Sequence, residues 1–123
     1  ASARLDDLAN FIPARLTGWL LVPLSALVSG QDFLLSVKTV KRDRAKHESP
    51  NSAHPESAFA GALRVQLGGP CRYQGRLVEH PVIGSGLGAV QPKHIPKAIL
   101  LMYITSLLAL SFGLGLIGIR EGW

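Results

Sequence analysis

The sequence predicts an all-α protein of the polytopic membrane class, with two transmembrane helices and a short helix in a cytoplasmic active-site loop that can be re-entrant. Two long apolar segments flank a polar one. Of all residues 47% are hydrophobic while only 7% are aromatic, and most cationic side chains lie between the apolar segments. A supply of Leu, Ala, Val and Ile with few aromatic residues suits helices in lipid better than the core of a β-sandwich.

Residues 1–15 are predicted to form an amphipathic helix at the membrane interface. The apolar positions recur with helical spacing at Leu5, Leu8, Phe11 and Ile12. The polar positions of the opposite side are Asp6, Asp7 and Asn10. Pro13 is expected to end or kink the helix, because it lacks an N–H group. A simple lead-in to the next helix is the alternative interpretation.

Residues 16–37 are predicted to form the first transmembrane helix. The run from Leu16 to Gln31 carries no charge, but a span normally needs about 20 residues. Extension to Val37 makes the segment long enough and places Asp32 near one end. Pro23 implies a kink, which neighbouring helices can accommodate. A buried helix of a soluble protein is the alternative.

Residues 38–97 form a basic loop. This segment holds ten Lys and Arg residues against four Asp and Glu, whereas the rest of the chain holds three against four. Because basic loops beside membrane spans remain in the cytoplasm, we expect this loop to face the cytoplasm and no nucleic acid to be its partner. The cations at its start are suited to contacts with lipid headgroups or ligand phosphates: Lys41, Arg42, Arg44 and Lys46. A snorkelling, solvated basic collar is the alternative interpretation.

The basic loop is predicted to contain one short helix. The Ser49-Pro50-Asn51 sequence should break the preceding helix, and a new one should begin near Pro55 with Glu56 in its first turn. This helix is expected to cover Ser57 to Leu67 and to end at the paired glycines that follow. Small residues form one of its faces: Ala58, Gly61 and Ala62. The later glycines, Gly84-x-Gly86-x-Gly88, have the wrong spacing for a dinucleotide fingerprint, and no strand clearly precedes them.

Residues 98–119 are predicted to form the second transmembrane helix. The segment has twenty-two residues without a charge, and at about 1.5 Å per residue it reaches roughly 33 Å, against a hydrocarbon core of about 30 Å. Lys93 and Lys97 flank one end and Arg120 the other. The whole chain, residues 1–123, is therefore interpreted as the C-terminal part of a single integral-membrane domain.

The stretch from Lys46 to Gly69 has the densest polar composition and is the candidate site. It holds two histidines, two acids, an asparagine and three serines. His47 and His54 suit general-base or phosphate-contact roles. No histidine pair has the HExxH spacing, and neither a GxSxG elbow nor a Walker motif occurs. The single Cys71 excludes a disulfide within the chain. The residues alone therefore predict a basic cytoplasmic site for an anionic ligand.

The same stretch resembles the signature region of the adenosylcobinamide-phosphate synthases of cobalamin biosynthesis, the CbiB/CobD type. The resemblance runs from RDRAKHESPNSAHPESAFAGALRVQLGG to a Tyr, a Gly and a Pro-x-x-Gly, met here by Tyr73, Gly75, Pro81 and Gly84. The opening RLDDLANFIPARLT is also similar to this family. Ala53 stands where the family usually has Gly, and His54 stands where an aromatic residue is common.

The resemblance implies an ATP-dependent acid–amine ligase. It would condense adenosylcobyric acid, a corrinoid, with aminopropanol or its phosphate, using ATP and Mg²⁺. The residues it implies as catalytic are His47, Glu56 and Lys46. Those implied for substrate binding are Arg42, Ser49, Asn51, Gly68, Gly69 and Tyr73. Asp43 and Glu56 are the candidate magnesium ligands.

The resemblance also implies a cellular location, and two alternative functions remain. The protein would be a multi-pass protein of the cell (inner) membrane, in contact with lipid and with the remaining N-terminal part of the protein or a sister chain. One rival is a non-catalytic membrane sensor or regulatory relative resembling AmpE. The other is a transporter or complex subunit in which the polar turn acts as a re-entrant gate.

Overall fold

The computed structural model describes residues 2–46 and 51–123, and these residues are mostly helical. The chain begins with α1 (Ser2–Leu16), a π-helical turn (Thr17–Leu21) and α2 (Val22–Ser29). Two further helices follow, α3 (Phe33–Asp43) and α4 (Ala53–Leu63). A hairpin of β1 (Leu67–Tyr73) and β2 (Arg76–Ile83) then leads to α5 (His94–Glu121).

The first apolar helix begins before and ends before the predicted transmembrane helix, residues 16–37. α1, the π-helical turn and α2 form one helical segment from Arg4 to Ser29, so the predicted interfacial helix is its first part and Pro13 does not end it. The segment ends because Gly30 adopts a left-handed backbone with φ +78°. The residues after Asp32 belong to the separate helix α3 and do not extend the first span.

The π-helical turn contacts α4, as do α1 before it and α2 after it. Pro23 has no N–H for the helical ladder, and the turn immediately before it follows π geometry, a wider form that often marks functional positions. Gly18 lies in this turn, and a Cβ there would be 2.6 Å from the backbone carbonyl carbon of His54. A side chain at position 18 would therefore separate the two elements.

Helices α3 and α4 pack closely, and the predicted small-residue face of α4 is buried between its neighbours. A Cβ on Gly61 would lie 2.6 Å from Thr39 Oγ1 and 2.7 Å from Ser36 Cα, so only glycine permits this approach. The Ser36 hydroxyl donates to the Ala58 carbonyl over 2.8 Å. A small core surrounds this contact, formed by Val22, Ala26, Val40, Ala58, Ala62 and Leu101.

Helix α4 begins two residues before Pro55, the predicted start, and ends four residues before Leu67, the predicted end. It covers Ala53–Leu63 because Arg64 takes a left-handed backbone with φ +57°, which ends the helix. The Arg64 side chain then pairs with Asp32 over 2.9 Å, and Asp32 also accepts the Leu35 N–H as the N-cap of α3. Leu67, predicted as the last helical residue, begins the first strand instead.

The antiparallel hairpin corrects the all-α fold class. β1 pairs with β2 from Leu67↔Ile83 to Tyr73↔Arg76, with an irregular register between Leu67 and Gly69. Gln74 and Gly75 join the strands with φ +51° and +78°, a geometry suited to tight hairpins. A strand therefore does precede Gly84, which the sequence did not indicate. A dinucleotide fingerprint also needs a helix directly after the glycines. Here a turn and a bridge between Gly88 and Val65 follow, and the next helix begins only at His94.

Helix α5 confirms the second predicted apolar helix and extends it to His94–Glu121. It packs on α2, where Thr105 Oγ1 donates to Ser25 Oγ over 2.9 Å, and most of its other side chains are exposed. Within residues 2–46 and 51–123, two helical segments are long and apolar enough to cross a membrane, Arg4–Ser29 and His94–Glu121.

Candidate functional site

The carboxylate of Asp43 is the centre of a buried ion-pair network at the end of α3. Arg42 Nε and Nη2 each lie 3.1 Å from one of its oxygens, and Lys46 Nζ lies 2.9 Å from Oδ1. The Gly84 N–H, just after β2, donates to Oδ2 over 2.8 Å. Asp43 is fully buried, while the side chains of Arg42 and Lys46 are 51% and 43% exposed. The network therefore presents two cations to solvent around one buried anion.

Asp43 is ionised at neutral pH despite its burial. Burial acts to raise the pKa of Asp43, but hydrogen bonds from Arg42, Gly84 and Lys46 outweigh it and lower the pKa from 3.8 to about 2. The same contact raises the pKa of Arg42. Two cations held on one carboxylate leave one surplus positive charge, which can bind an anionic group such as a phosphate.

Asn51 connects the start of the α4 region to α1. Its side chain is 6% exposed, and its Nδ2 donates to the Asp7 carbonyl over 2.7 Å. Arg15 Nη1 donates to Asn51 Oδ1 over 3.1 Å. Along the chain, Asn51 is 36 positions from Arg15 and 44 positions from Asp7. Asn51 therefore fixes the start of the α4 region against α1, in addition to any contact with substrate.

A cleft of about 310 Å³, lined by both polar and apolar residues, lies beside Asn51. One wall comes from α1 and includes Asp6, Asp7 and Asn10, and the other comes from Asn51 and Ser52. The two walls belong to the two sequence stretches that carry the family resemblance. Asp6, Asp7 and Asn10 were not predicted as site residues, although their place in the opening RLDDLANFIPARLT was a usable signal.

Glu56 and Gly68 line a second cavity, of about 210 Å³, between α4 and the hairpin. Glu56 lies in the first turn of α4, as predicted. Gly68 has φ +80°, and a Cβ there would overlap the Pro81 carbonyl oxygen, so this position requires glycine. His80 lines the same cavity and was not singled out from the sequence. Gly69 is buried in β1, where it pairs with His80 of β2.

Tyr73 lies apart from the other predicted site residues. It is 67% exposed at the turn of the hairpin, five residues from Gly68 along β1. At about 3.3 Å per residue, this places it roughly 17 Å from Gly68. His54, which was also considered for a general-base or phosphate-contact role, is 5% exposed and lies against Gly18. His47 and Ser49, predicted as catalytic and substrate-binding, lie outside the described residues.

The geometry of Asp43 is poorly suited to magnesium. Both carboxylate oxygens already accept hydrogen bonds from cationic or backbone donors, which a divalent cation would have to displace. Among residues 2–46 and 51–123, no group of three or more His, Cys, Asp or Glu side chains could hold a metal ion. Glu56, the other candidate ligand, lines a cavity. This position is compatible with a magnesium ion that is bound chiefly by the phosphates of a substrate.

Comparison with known proteins points to one family. The family described as CobD/Cbib protein matches residues 1–102. A Klebsiella pneumoniae protein named "Cobalamin biosynthesis protein CobD" is 47% identical over 114 residues, which cover 93% of this chain and 35% of that protein. Proteins with the same name from Pelobacter propionicus and Desulfotalea psychrophila are 49% and 46% identical, over 87% and 91% of this chain.

The chain spans about a third of the length of these relatives, 33–35% in the three comparisons. No solved structure matches it.

Proposed function

This chain belongs to the CobD/CbiB family, and from that premise we propose that it is part of an enzyme of cobalamin biosynthesis that forms an amide. The reaction is the condensation of the propionate carboxylate of adenosylcobyric acid with the amine of aminopropanol or its phosphate. The observation that supports this proposal is the network of Arg42, Asp43, Lys46 and Gly84, because its surplus positive charge suits a phosphate group.

Amide formation requires an activated carboxylate and an uncharged amine. A carboxylate oxygen attacks the γ-phosphorus of ATP, which gives an acyl phosphate and ADP. The amine nitrogen then attacks the acyl carbon, a C–N bond forms, the C–O bond to phosphate breaks and inorganic phosphate leaves. The nitrogen loses its extra protons to a base and to solvent. Phosphate charge therefore develops and departs at the site, and fixed cations stabilise it.

The predicted residues have definite roles in this proposal. Arg42 and Lys46 neutralise phosphate charge, and Asp43 holds both in position. His47 or Glu56 removes the proton from the amine, and Ser49 and Asn51 orient substrate. With His47 as the base, Glu56 would be the residue that holds a Mg²⁺ ion bound with ATP, and the ion would add to the neutralisation of phosphate charge.

We propose that the enzyme lies in the inner membrane with the basic loop in the cytoplasm, where ATP is available. Lys46 and Asn51 are five residues apart, so their Cα atoms lie within roughly 18 Å of each other. The phosphate-binding network and the cleft beside Asn51 are thus close enough to belong to one site.

The decisive experiment uses the complete protein reconstituted in lipid vesicles. Adenosylcobyric acid, ATP and aminopropanol phosphate are supplied, and the amide is detected by mass spectrometry. We expect the mass of the amide product and stoichiometric ADP. Changing His47 or Asn51 to Ala should abolish product, whereas unchanged turnover in both variants would contradict the assigned site.

The same vesicles separate the rival functions. Binding of the corrinoid without product would indicate a sensor resembling AmpE. Solute or ion flux without ATP turnover would indicate a transporter subunit. Either result would overturn the ligase proposal.

A further inference from the structure

We propose that an anionic phospholipid binds between α4 and α5, with an acyl chain in an apolar groove and its headgroup on the cation cluster formed by Lys38, Arg64 and Lys97. The inference rests on the proposed location of the basic loop in the cytoplasm. It does not depend on the amide-forming reaction.

The groove lies where α4 and the first two turns of α5 face each other, and its volume is about 210 Å³. Its lining is apolar except for His94, whose Nδ1 already accepts the Gln91 N–H over 2.9 Å. Val90 and Ile95 on its edge are 56% and 59% exposed, so the groove is open along one side. At roughly 30 Å³ for each group of methylene size, about the volume of a water molecule in the liquid, the groove holds part of one acyl chain. A helix, with a diameter of about 10–12 Å, does not fit into it.

A second cavity, of about 230 Å³, adjoins the groove at Leu63, which lines both. Its polar lining includes Asp32, Arg64 and Lys97. Arg64 directly follows Leu63 in the chain, and Lys97 directly precedes Ala98, which also lines the groove. Two members of the cation cluster therefore stand at the rim of the groove.

Positive charge exceeds negative charge around this second cavity. Arg64 Nε pairs with Asp32 over 2.9 Å. The Leu35 N–H and Arg64 lower the pKa of Asp32, and Lys38 is close enough to lower it further. Three cations around one carboxylate leave a surplus of two positive charges. This surplus suits the phosphodiester of a lipid headgroup, which binds through charge-assisted hydrogen bonds.

Both apolar segments end at the level of the cation cluster. The Arg4–Ser29 segment stops just before Gly30 and Asp32, which line the second cavity, and the uncharged part of α5 begins directly after Lys97. With the basic loop in the cytoplasm, this level is the surface of the inner leaflet. Anionic lipids of that leaflet attract Lys and Arg side chains, and basic pockets between membrane helices on this side bind lipid headgroups.

The groove leads from the cation cluster toward the bilayer interior. Near the end of α4, the Ala62 carbonyl accepts the Asp32 N–H over 3.2 Å, and at its start His54 lies against Gly18. α4 therefore runs alongside the first apolar segment. Phe59, one turn before the end of α4, lines the groove on the interior side. A headgroup bound at the cations thus has an acyl chain directed into the groove.

The headgroup charge decides which lipid binds. An acyl chain that moves from the bilayer into the groove exchanges one apolar environment for another, so the groove alone gives little preference for any lipid. The cations distinguish phosphatidylglycerol, which is anionic, from phosphatidylcholine, which is zwitterionic. The groove distinguishes a lipid from a free phosphate, which has no acyl chain.

The test titrates the complete protein in neutral detergent with dioleoyl phosphatidylglycerol or dioleoyl phosphatidylcholine and measures the bound lipid by native mass spectrometry. We expect phosphatidylglycerol to bind at least tenfold more tightly, on the order of what two surplus cations contribute. The exposed Lys38 and Lys97 should each contribute about fivefold, measured with Lys38→Gln and Lys97→Gln. Arg120→Gln is the matched control, because it removes a cation at the other end of α5 and should leave binding unchanged.

A second pair of variants tests the groove. Ala98→Leu places a larger apolar side chain where the acyl chain lies and should weaken binding of phosphatidylglycerol roughly tenfold. Ala109→Leu is the same change at an exposed position of α5 and should have no effect. Glycerol phosphate, which carries the charge without the acyl chains, should not displace the lipid at equal concentration.

Equal binding of the two lipids would overturn the inference, as would equal effects of Lys97→Gln and Arg120→Gln or of Ala98→Leu and Ala109→Leu. Displacement by glycerol phosphate would reduce the site to a phosphate contact and overturn it too. So would a protein that binds neither lipid, the result expected if another part of the polypeptide covers the groove. The assay contains no substrate and has no membrane sides, so a negative result leaves the amide-forming reaction and the location of the loop untouched.

Discussion

At the scale of single residues, Asp43 carries four polar contacts on one buried carboxylate. Its partners come from its own helix and from the end of the hairpin. Removal of a cationic partner from a buried carboxylate is strongly destabilising, because the carboxylate stays desolvated. Asp43 therefore affects both the stability of the fold and the position of the two cations that the proposed reaction uses.

The first prediction concerns the dependence of stability on pH. The pKa of Asp43 is lowered from 3.8 to about 2, so its contribution is fully present above the unfolded value of 3.8 and is lost as the pH falls through about 2. The wild type should lose on the order of 2 kcal/mol of unfolding free energy over that window through this group. Denaturant unfolding of the complete protein at about pH 6, 4 and 2 measures the effect.

Asp43→Asn is the control for this prediction. The variant is less stable at neutral pH and lacks this part of the pH dependence, because Asn does not titrate. An identical pH profile in the wild type and the variant would contradict the assignment.

The candidate site was only partly predictable at this scale. Arg42, Lys46 and Asn51 stand in a contiguous signature, so their types and order indicated a site. Asp7 and Asn51 are 44 positions apart, and no local pattern in one sequence indicates such a contact. The contact of the Gly84 backbone N–H is harder still to predict, because every residue except proline has such a group and the type of side chain does not indicate which of them bonds to Asp43.

At the scale of elements, the contact between α3 and α4 depends on the absence of one side chain. We predict that Gly61→Ala destabilises the protein by about 1–3 kcal/mol, since the new methyl group would overlap Thr39 Oγ1 and the backbone near Ser36. Gly113→Ala is the matched control, because no atom lies within 4 Å of a Cβ at that helical position. Thermal unfolding in detergent compares them, and equal midpoints would refute the close approach.

The start of α3 gives a second prediction for this scale. Asp32 accepts the Leu35 N–H over 3.0 Å, which lowers the pKa of Asp32, and it also pairs with the exposed Arg64. Asp32→Ala should cost about 1 kcal/mol through loss of the cap. Asp32→Asn keeps an acceptor oxygen and should cost only a few tenths. Denaturant midpoints measure both, and equal losses would show that the ion pair dominates instead.

The elements differ in how well the sequence predicts them. α5 was predicted because twenty-two uncharged residues are an unambiguous signal. The hairpin was not, because β2 is exposed at most positions on both faces, so alternation of polar and apolar residues does not arise. The end of α2 depends on the backbone of Gly30, which hydropathy does not register.

At the scale of the whole molecule, the charge distribution predicts an orientation. In right-side-out vesicles, a single cysteine introduced as Ser85→Cys in the basic loop, in a Cys71→Ser background, should react with an impermeant maleimide only after permeabilisation. Glu121→Cys, at the other end of α5, should react before it. The extent of labelling measures both. Labelling of Ser85→Cys in intact vesicles would place the loop outside, away from ATP, and contradict the proposed location.

The contact between Asp43 and Gly84 also constrains how mutations can compensate for one another. Since the donor at position 84 is a main-chain amide, no replacement there can restore what Asp43→Ala removes. Loss of the acid leaves two neighbouring cations, Arg42 and Lys46, without their shared counter-charge. A screen for stabilising second-site substitutions should therefore recover neutral residues at 42 or 46, and under the proposed function such variants would regain stability but bind phosphate more weakly.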